Sequence, residues 1–169
     1  MLAPFLGFLW SLVRVFIKAP AGRQRFNVLG ALNACTQEVV TVTNTSYINA
    51  DSVCELLGKI VALGVGAPIT LILDNARYQR CHKVRARADE LGIELLYLPP
   101  YSPNLNLIER LWKFVKKKCL YSTYYEQFES FQAAITDCLS KTNTEYRKEL
   151  ETLLAPNFQD FKKVQVLTR

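Results

Sequence analysis

Residues 69–118 constrain the fold most: ITLILDNARYQ, then a helical segment, then LLYLPPYSPNLNLIERLWKFVKKK. Asp74 follows Ile69-Thr70-Leu71-Ile72-Leu73, a run without polar alternation. Such a run predicts a strand covered on both faces, as in a parallel sheet. Glu109 follows a Pro-rich turn and opens a helix. The 34 residues between the two acids accommodate a helix, a second strand and that turn. In open α/β sheets, sites form outside the carboxyl ends of the strands, so both acids are candidates for one site. Paired carboxylates suit a divalent cation, which activates water and stabilises charge in phosphoryl displacement.

Taken singly, each acid also has an ordinary structural role. Asp74 and Asn75 suit a turn at a strand end. Asn106 suits a helix cap, with Glu109 three residues on as its capping-box partner. Together, LILDNARYQ, LLYLPPYSPNLNLIERLW, the 34-residue spacing and RFNVLGALN resemble the catalytic core of IS630/Tc1-mariner transposases of the DDE type. The resemblance spans roughly the whole chain, and PYSPxLNxIExxW is its specific part. It implies an RNase H-like α/β fold in which three acids bind two divalent ions that cut and join DNA. On that basis Asp74 is the second acid and Glu109 the third, both ligating Mg²⁺ or Mn²⁺. The first acid belongs ahead of the early strands, yet residues 1–37 contain no Asp or Glu.

A length of 169 residues fits a single domain with room for a core, here residues 1–169 with the first strand truncated. Hydrophobic residues at 50% and charged ones at 21% describe a globular chain rather than a disordered one. A net charge of +6 points to a polyanionic partner, and the resemblance makes that partner DNA, as transposon ends and target. A homodimer is left open, and no small-molecule cofactor is expected. Cys35, Cys54, Cys81, Cys119 and Cys138 lack a Cys-x-x-Cys pair and read as reduced, mostly buried thiols of a cytoplasmic protein. His82, the single histidine, reads as a surface residue. Residues 1–17 are apolar, but they are shorter than the ~20 residues of a membrane span and contain Pro4, Gly7 and Arg14. A strand or buried loop fragment is the preferred reading there, with no membrane association.

Along the chain, residues 23–34 and 38–43 predict an antiparallel hairpin turning at 33–37. Asn49 or Ser52 caps a helix with Val53, Leu56, Leu57, Ile60 and Val61 inward, and Asp51 serves its dipole. Arg77 and Arg80 follow Asp74 and are candidate phosphate contacts. Residues 82–91 predict a helix closed by Gly92, and residues 93–98 the second core strand. Pro99, Pro100 and Pro103 stiffen the turn before Glu109. In the next helix Ile108, Leu111, Trp112, Val115 and Cys119 form the apolar stripe. Lys113, Lys116, Lys117 and Lys118 read as a phosphate-tracking ridge, or as lysines complementing a helix C-terminus. Amphipathic helices are expected over 127–141 and 144–154, ended by Pro156, with Lys162 and Lys163 in a tail. The sheet is expected to be mixed, antiparallel early and parallel later, with helices on its faces. Two other functions fit: a non-catalytic transposase remnant that binds nucleic acid or assembles with an intact copy, and a different RNase H-like nuclease.

Overall fold

The computed structural model describes residues 12–13, 24–99 and 105–155, in which two strands, a helix, a strand, a helix and a strand are followed by three helices. The expectations for residues 1–11 and 14–23, for Pro100 and Pro103, and for the tail from Pro156 fall outside the described residues. No helix among those described is long and apolar enough to cross a membrane.

The hairpin forms as expected. β1 (Asn27–Leu32) pairs antiparallel with β2 (Val39–Asn44). Its turn is held by the Asn33 side chain, which accepts from the N–H groups of Cys35 and Thr36, and Gln37 takes φ 60°. The outer edge of β2 is capped. Asn143 hydrogen-bonds both the N–H and the carbonyl of Val39, and Lys59 donates to the carbonyl of Thr41. Such capping blunts an edge that would otherwise template another strand.

α1 (Ala50–Ala62) starts at Asn49, whose side chain accepts from Ser52 N–H while the Ser52 hydroxyl receives the Asn49 N–H. Both expected caps therefore act together. Val53, Leu56, Leu57 and Ile60 are buried on one face, and Val61 is half-buried. Asp51 lies in the first turn, as expected, and also pairs with Lys83 of α2 (His82–Glu90). Gly92 follows α2 at φ 66°, the left-handed conformation that favours glycine. His82 lies at the start of α2 and is exposed, as expected.

β3 (Ile69–Leu73) and β4 (Ile93–Tyr97) pair in parallel, with Leu73 opposite Tyr97. One detail differs from expectation. β3 is covered on one face only among the described residues: Ile69 and Leu71 pack toward α1, while Thr70 and Ile72 are exposed. Its unalternating composition therefore reflects strand formation without two-sided burial. As expected, the strands are antiparallel early and parallel later; among the described residues they form two pairs, since β1 and β3 are not bonded to each other. α1 spans the division, packing on Leu29 and Ala31 of β1 and on Ile69 and Leu71 of β3.

The second core is built by α3 (Ile108–Cys119), α4 (Phe128–Ser140) and α5 (Arg147–Leu153) around Leu111, Phe114, Val115, Ile135, Cys138, Leu139 and Leu150. α5 begins three residues later than the periodicity suggests. Phe114 is not part of the expected stripe, but it is buried and meets Tyr146 edge-on at 5.5 Å between ring centroids. Trp112 packs as expected, lying over Gly30 of β1. A Cβ on that glycine would come within 2.7 Å of the indole, so only glycine lets α3 approach β1 this closely. The cysteines are all free, but only Cys119 and Cys138 are buried, and Cys35 is exposed.

Candidate functional site

Asp74 stands one residue beyond β3, at its carboxyl end, and is exposed. Its Oδ1 accepts from Ala76 N–H at 3.4 Å, a weak turn contact that leaves most of the carboxylate free. The next residue, Asn75, holds φ 76°, tolerated by asparagine better than by most residues. Its Nδ2 donates to the carbonyl of Leu98, which ties this loop to the end of β4, while its Oδ1 is buried without a partner among the described residues.

Glu109 lies in the first turn of α3 and is exposed. The capping box suggested for it does not form. The Asn106 side chain accepts from Ile108 N–H at 3.3 Å, and the N-cap position falls on Leu107. The Glu109 side chain makes no hydrogen bond or ion pair with any described residue. Its position is fixed instead by its helix, which Leu111 and Val115 anchor in the core.

Both acids line one cavity of about 360 Å³. Its walls come from β1 and β3, its floor from Val53 and Leu56 of α1, and its rim from Asn106, Ile108 and Trp112. Tyr78 and Gln79 also face it. Sequence reasoning passed over these two, although their place in the loop after Asp74 was a usable signal. The Tyr78 phenol is held above the ordinary tyrosine range by burial first and by the Asp74 carboxylate second. Asp74→Asn is therefore expected to lower the Tyr78 pKa while leaving it above that of a free tyrosine, as read by ultraviolet titration. An unchanged value would mean that Asp74 does not act on this side of the cavity.

The basic candidates lie outside the cavity: none of Arg77, Arg80, Lys113, Lys116, Lys117 or Lys118 is among its described lining residues. Arg77 begins a short 3-10 turn (Arg77–Gln79), and the Arg80 guanidinium lies 5.7 Å from the centroid of the Tyr97 ring. Lys113, Lys116 and Lys117 have no ion pair among the described residues, and all three are exposed. Lys118 differs. It pairs with Glu149 at 2.7 Å and sits over the rings of Phe114 and Tyr146, joining α3 to α5.

The two acids that line the cavity, Asp74 and Glu109, are oxygen donors of the kind that suits a hard divalent cation. No group of three His, Cys, Asp or Glu side chains that could hold a metal occurs among the described residues. Glu38, the first acid in the chain, lines a different pocket with Asn143 and Arg147.

Comparison with known proteins agrees with this architecture. The curated protein y4pE/y4sA of Sinorhizobium fredii (strain NBRC 101917 / NGR234), itself uncharacterized, is 29% identical over 98 residues, covering 57% of this chain and 68% of the relative. Among solved structures, a pre-cleavage Mos1 transpososome aligns with TM-score 0.59 at 14% identity, over 94% of this chain and 54% of its own. A simian T-cell lymphotropic virus intasome aligns with TM-score 0.55 at 17% identity, over 86% and 54%. The Mos1 transposase catalytic domain with Raltegravir and Mg aligns with TM-score 0.51 at 13% identity, over 82% and 84%. This chain thus spans about half the length of the transpososome and intasome chains, and shares with the Mos1 catalytic domain the expected RNase H-like fold. The family model described as DDE superfamily endonuclease matches residues 13–132, most of the chain, and the chain belongs to that family.

Proposed function

We propose that this domain is the catalytic core of an insertion-sequence transposase of the IS630/Tc1-mariner kind, acting in metal-dependent DNA cleavage and strand transfer at transposon ends. The observation that carries the reading is the convergence of Asp74 and Glu109, both uncommitted, on one cavity of a DDE-family domain. Structural relatives support the partner and the ion: Mos1 is solved in a paired-end complex with a left transposon end, and its catalytic domain with Mg and with Mn. Asp74 and Glu109 would hold Mg²⁺ or Mn²⁺. When bound, the ion supplies Lewis acidity toward a water or 3′-hydroxyl nucleophile and toward the leaving oxygen. The chain's own contribution is placement. Strand β3 and its asparagine-tied turn set Asp74, and the core-anchored first turn of α3 sets Glu109. Metal-dependent nicking of labelled transposon-end DNA tests the reading, and nicking that survives loss of both carboxylates would overturn it.

One observation favours a second reading, a non-catalytic domain that binds nucleic acid: the lack of a third acid beside the first two among the described residues. DNA contact is common to both readings. Lys113, Lys116 and Lys117 on α3 would follow the phosphates, with Arg77 and Arg80 beyond Asp74, whereas Lys118 is engaged with Glu149. Binding is then weak, sequence-independent and salt-sensitive. Each phosphate neutralised contributes about −0.9 to the slope of log K against log salt on duplex DNA. Replacing Lys113, Lys116 and Lys117 with Ala is expected to flatten that slope by up to about 2.7, measured by fluorescence anisotropy. An unchanged slope would leave these lysines as a solvated helix face.

A further inference from the structure

Of the polar side chains buried among the described residues, Ser52, Gln79 and Thr142, only Gln79 lines the cavity that Asp74 and Glu109 share. Gln79 is 5% exposed, and two contacts fix it. Its main-chain carbonyl accepts from the Tyr97 hydroxyl at 3.1 Å, which ties the 3-10 turn to the end of β4. Its side-chain Oε1 accepts from Ala76 N–H at 3.2 Å, two residues beyond Asp74. A main-chain N–H is met only by an acceptor, so this bond settles which end of the carboxamide is oxygen and which is nitrogen. The Nε2 group keeps two donor hydrogens and has no partner among the described residues. Unlike Asn75 Oδ1 it is not sealed in, and the space it borders is the cavity.

We infer that Gln79 is a substrate-binding residue, whose Nε2 donates to a non-bridging oxygen of a DNA phosphodiester brought to Asp74 and Glu109. The inference rests on the reading of those acids as ion ligands. Chemistry narrows the partner to that oxygen. A carboxamide N–H₂ is a donor only and does not ligate a cation. A water on the ion turns its hydrogens outward, donor against donor. A phosphate oxygen on the ion keeps a lone pair for a second contact. A neutral donor also suits the place, because a lysine or arginine there would pair with the carboxylates and compete with the ion. Arg77, Arg80, Lys113, Lys116 and Lys117 all lie outside the described lining. Gln79 thus orients the phosphodiester by hydrogen bonding while the acids keep their charge for the ion.

NMR of the isotope-labelled 169-residue chain tests it, with a thymidine dinucleotide as the probe. A single phosphodiester cannot track the lysine ridge of α3, so its binding reports the cavity. Gln79→Met identifies the Nε2 hydrogens by the signals it deletes. With Mg²⁺ present, the dinucleotide is expected to shift those signals and to slow their exchange with water. Gln79→Met is expected to weaken dinucleotide binding about tenfold, the loss of one hydrogen bond to a charged oxygen, while Mn²⁺ broadens the amides around Asp74 and Glu109 as before. Gln79→Glu restores the acceptor for Ala76 N–H without the donor, and is expected not to recover binding. Recovery by that chain would assign Gln79 to the turn alone and overturn the proposal. Nε2 signals unmoved by the dinucleotide, or equal affinity of the Gln79→Met chain, would also overturn it while the ion reading stands. Absence of Mn²⁺ broadening at the two acids would overturn both.

Discussion

Substituting either carboxylate, Asp74→Asn or Glu109→Gln, is expected to abolish metal-dependent nicking in any form of this domain that cuts DNA. The exchanges keep size and hydrogen-bonding shape but remove the charge that holds the ion. Both side chains are exposed, and Asp74 gives up only a 3.4 Å turn contact, so the melting temperature is expected to stay nearly constant. Loss of cutting with retained stability separates chemistry from folding. The 169-residue chain itself is expected to nick at a negligible rate. Two ions clamped about 3.5–4 Å apart need more negative ligands than these two acids provide. Mg²⁺-dependent nicking of a labelled end fragment by a form of the domain that cuts is the background for the two substitutions. Robust nicking by the present chain would mean that the first acid was misplaced, and Asp51, although paired with Lys83, would then be the first to test.

Leu111→Ala is expected to destabilise the domain by about 2–5 kcal/mol, the range for a fully buried leucine whose cavity cannot collapse. Leu111 has 0% exposure and lies among Phe114, Val115, Ile135 and Leu150, contributed by three helices. The same helix carries Glu109, so loosening it also frees one side of the site. Urea denaturation is the measurement, and the midpoint is expected to fall with little change in slope. A loss under about 1 kcal/mol would place Leu111 at a repackable position and remove the core anchor assigned to α3.

Much of this fold was legible because local signals agreed with tertiary ones. The strand ending at Leu73, the glycine at 92, the Asn49 cap and the turn at Asn33 all did structurally what their chemistry suggests. Periodicity also found most of the α3 stripe. It passed over Phe114, because burial there depends on Tyr146, which lies 32 positions further along the chain. The same limit hid Lys118, whose partner Glu149 belongs to another helix. One-sided burial of β3 was not visible in ITLIL, since an apolar sequence does not say how many layers cover it. The site was legible only as two acids. Their shared cavity, and the place of Tyr78 and Gln79 in it, follow from α1 holding two separate strand pairs together.

The central claim is that Asp74 and Glu109 hold one divalent ion between them, and Mn²⁺ titration followed by NMR tests it most directly. Paramagnetic broadening is expected to appear first at amides around Asp74, Asn75, Asn106 and Glu109, together with those of Tyr78 and Gln79 across the same cavity. In the Asp74→Asn and Glu109→Gln chains that broadening is expected to need far more Mn²⁺. Broadening that centres elsewhere, or that persists unchanged when both carboxylates are replaced, would contradict the assignment.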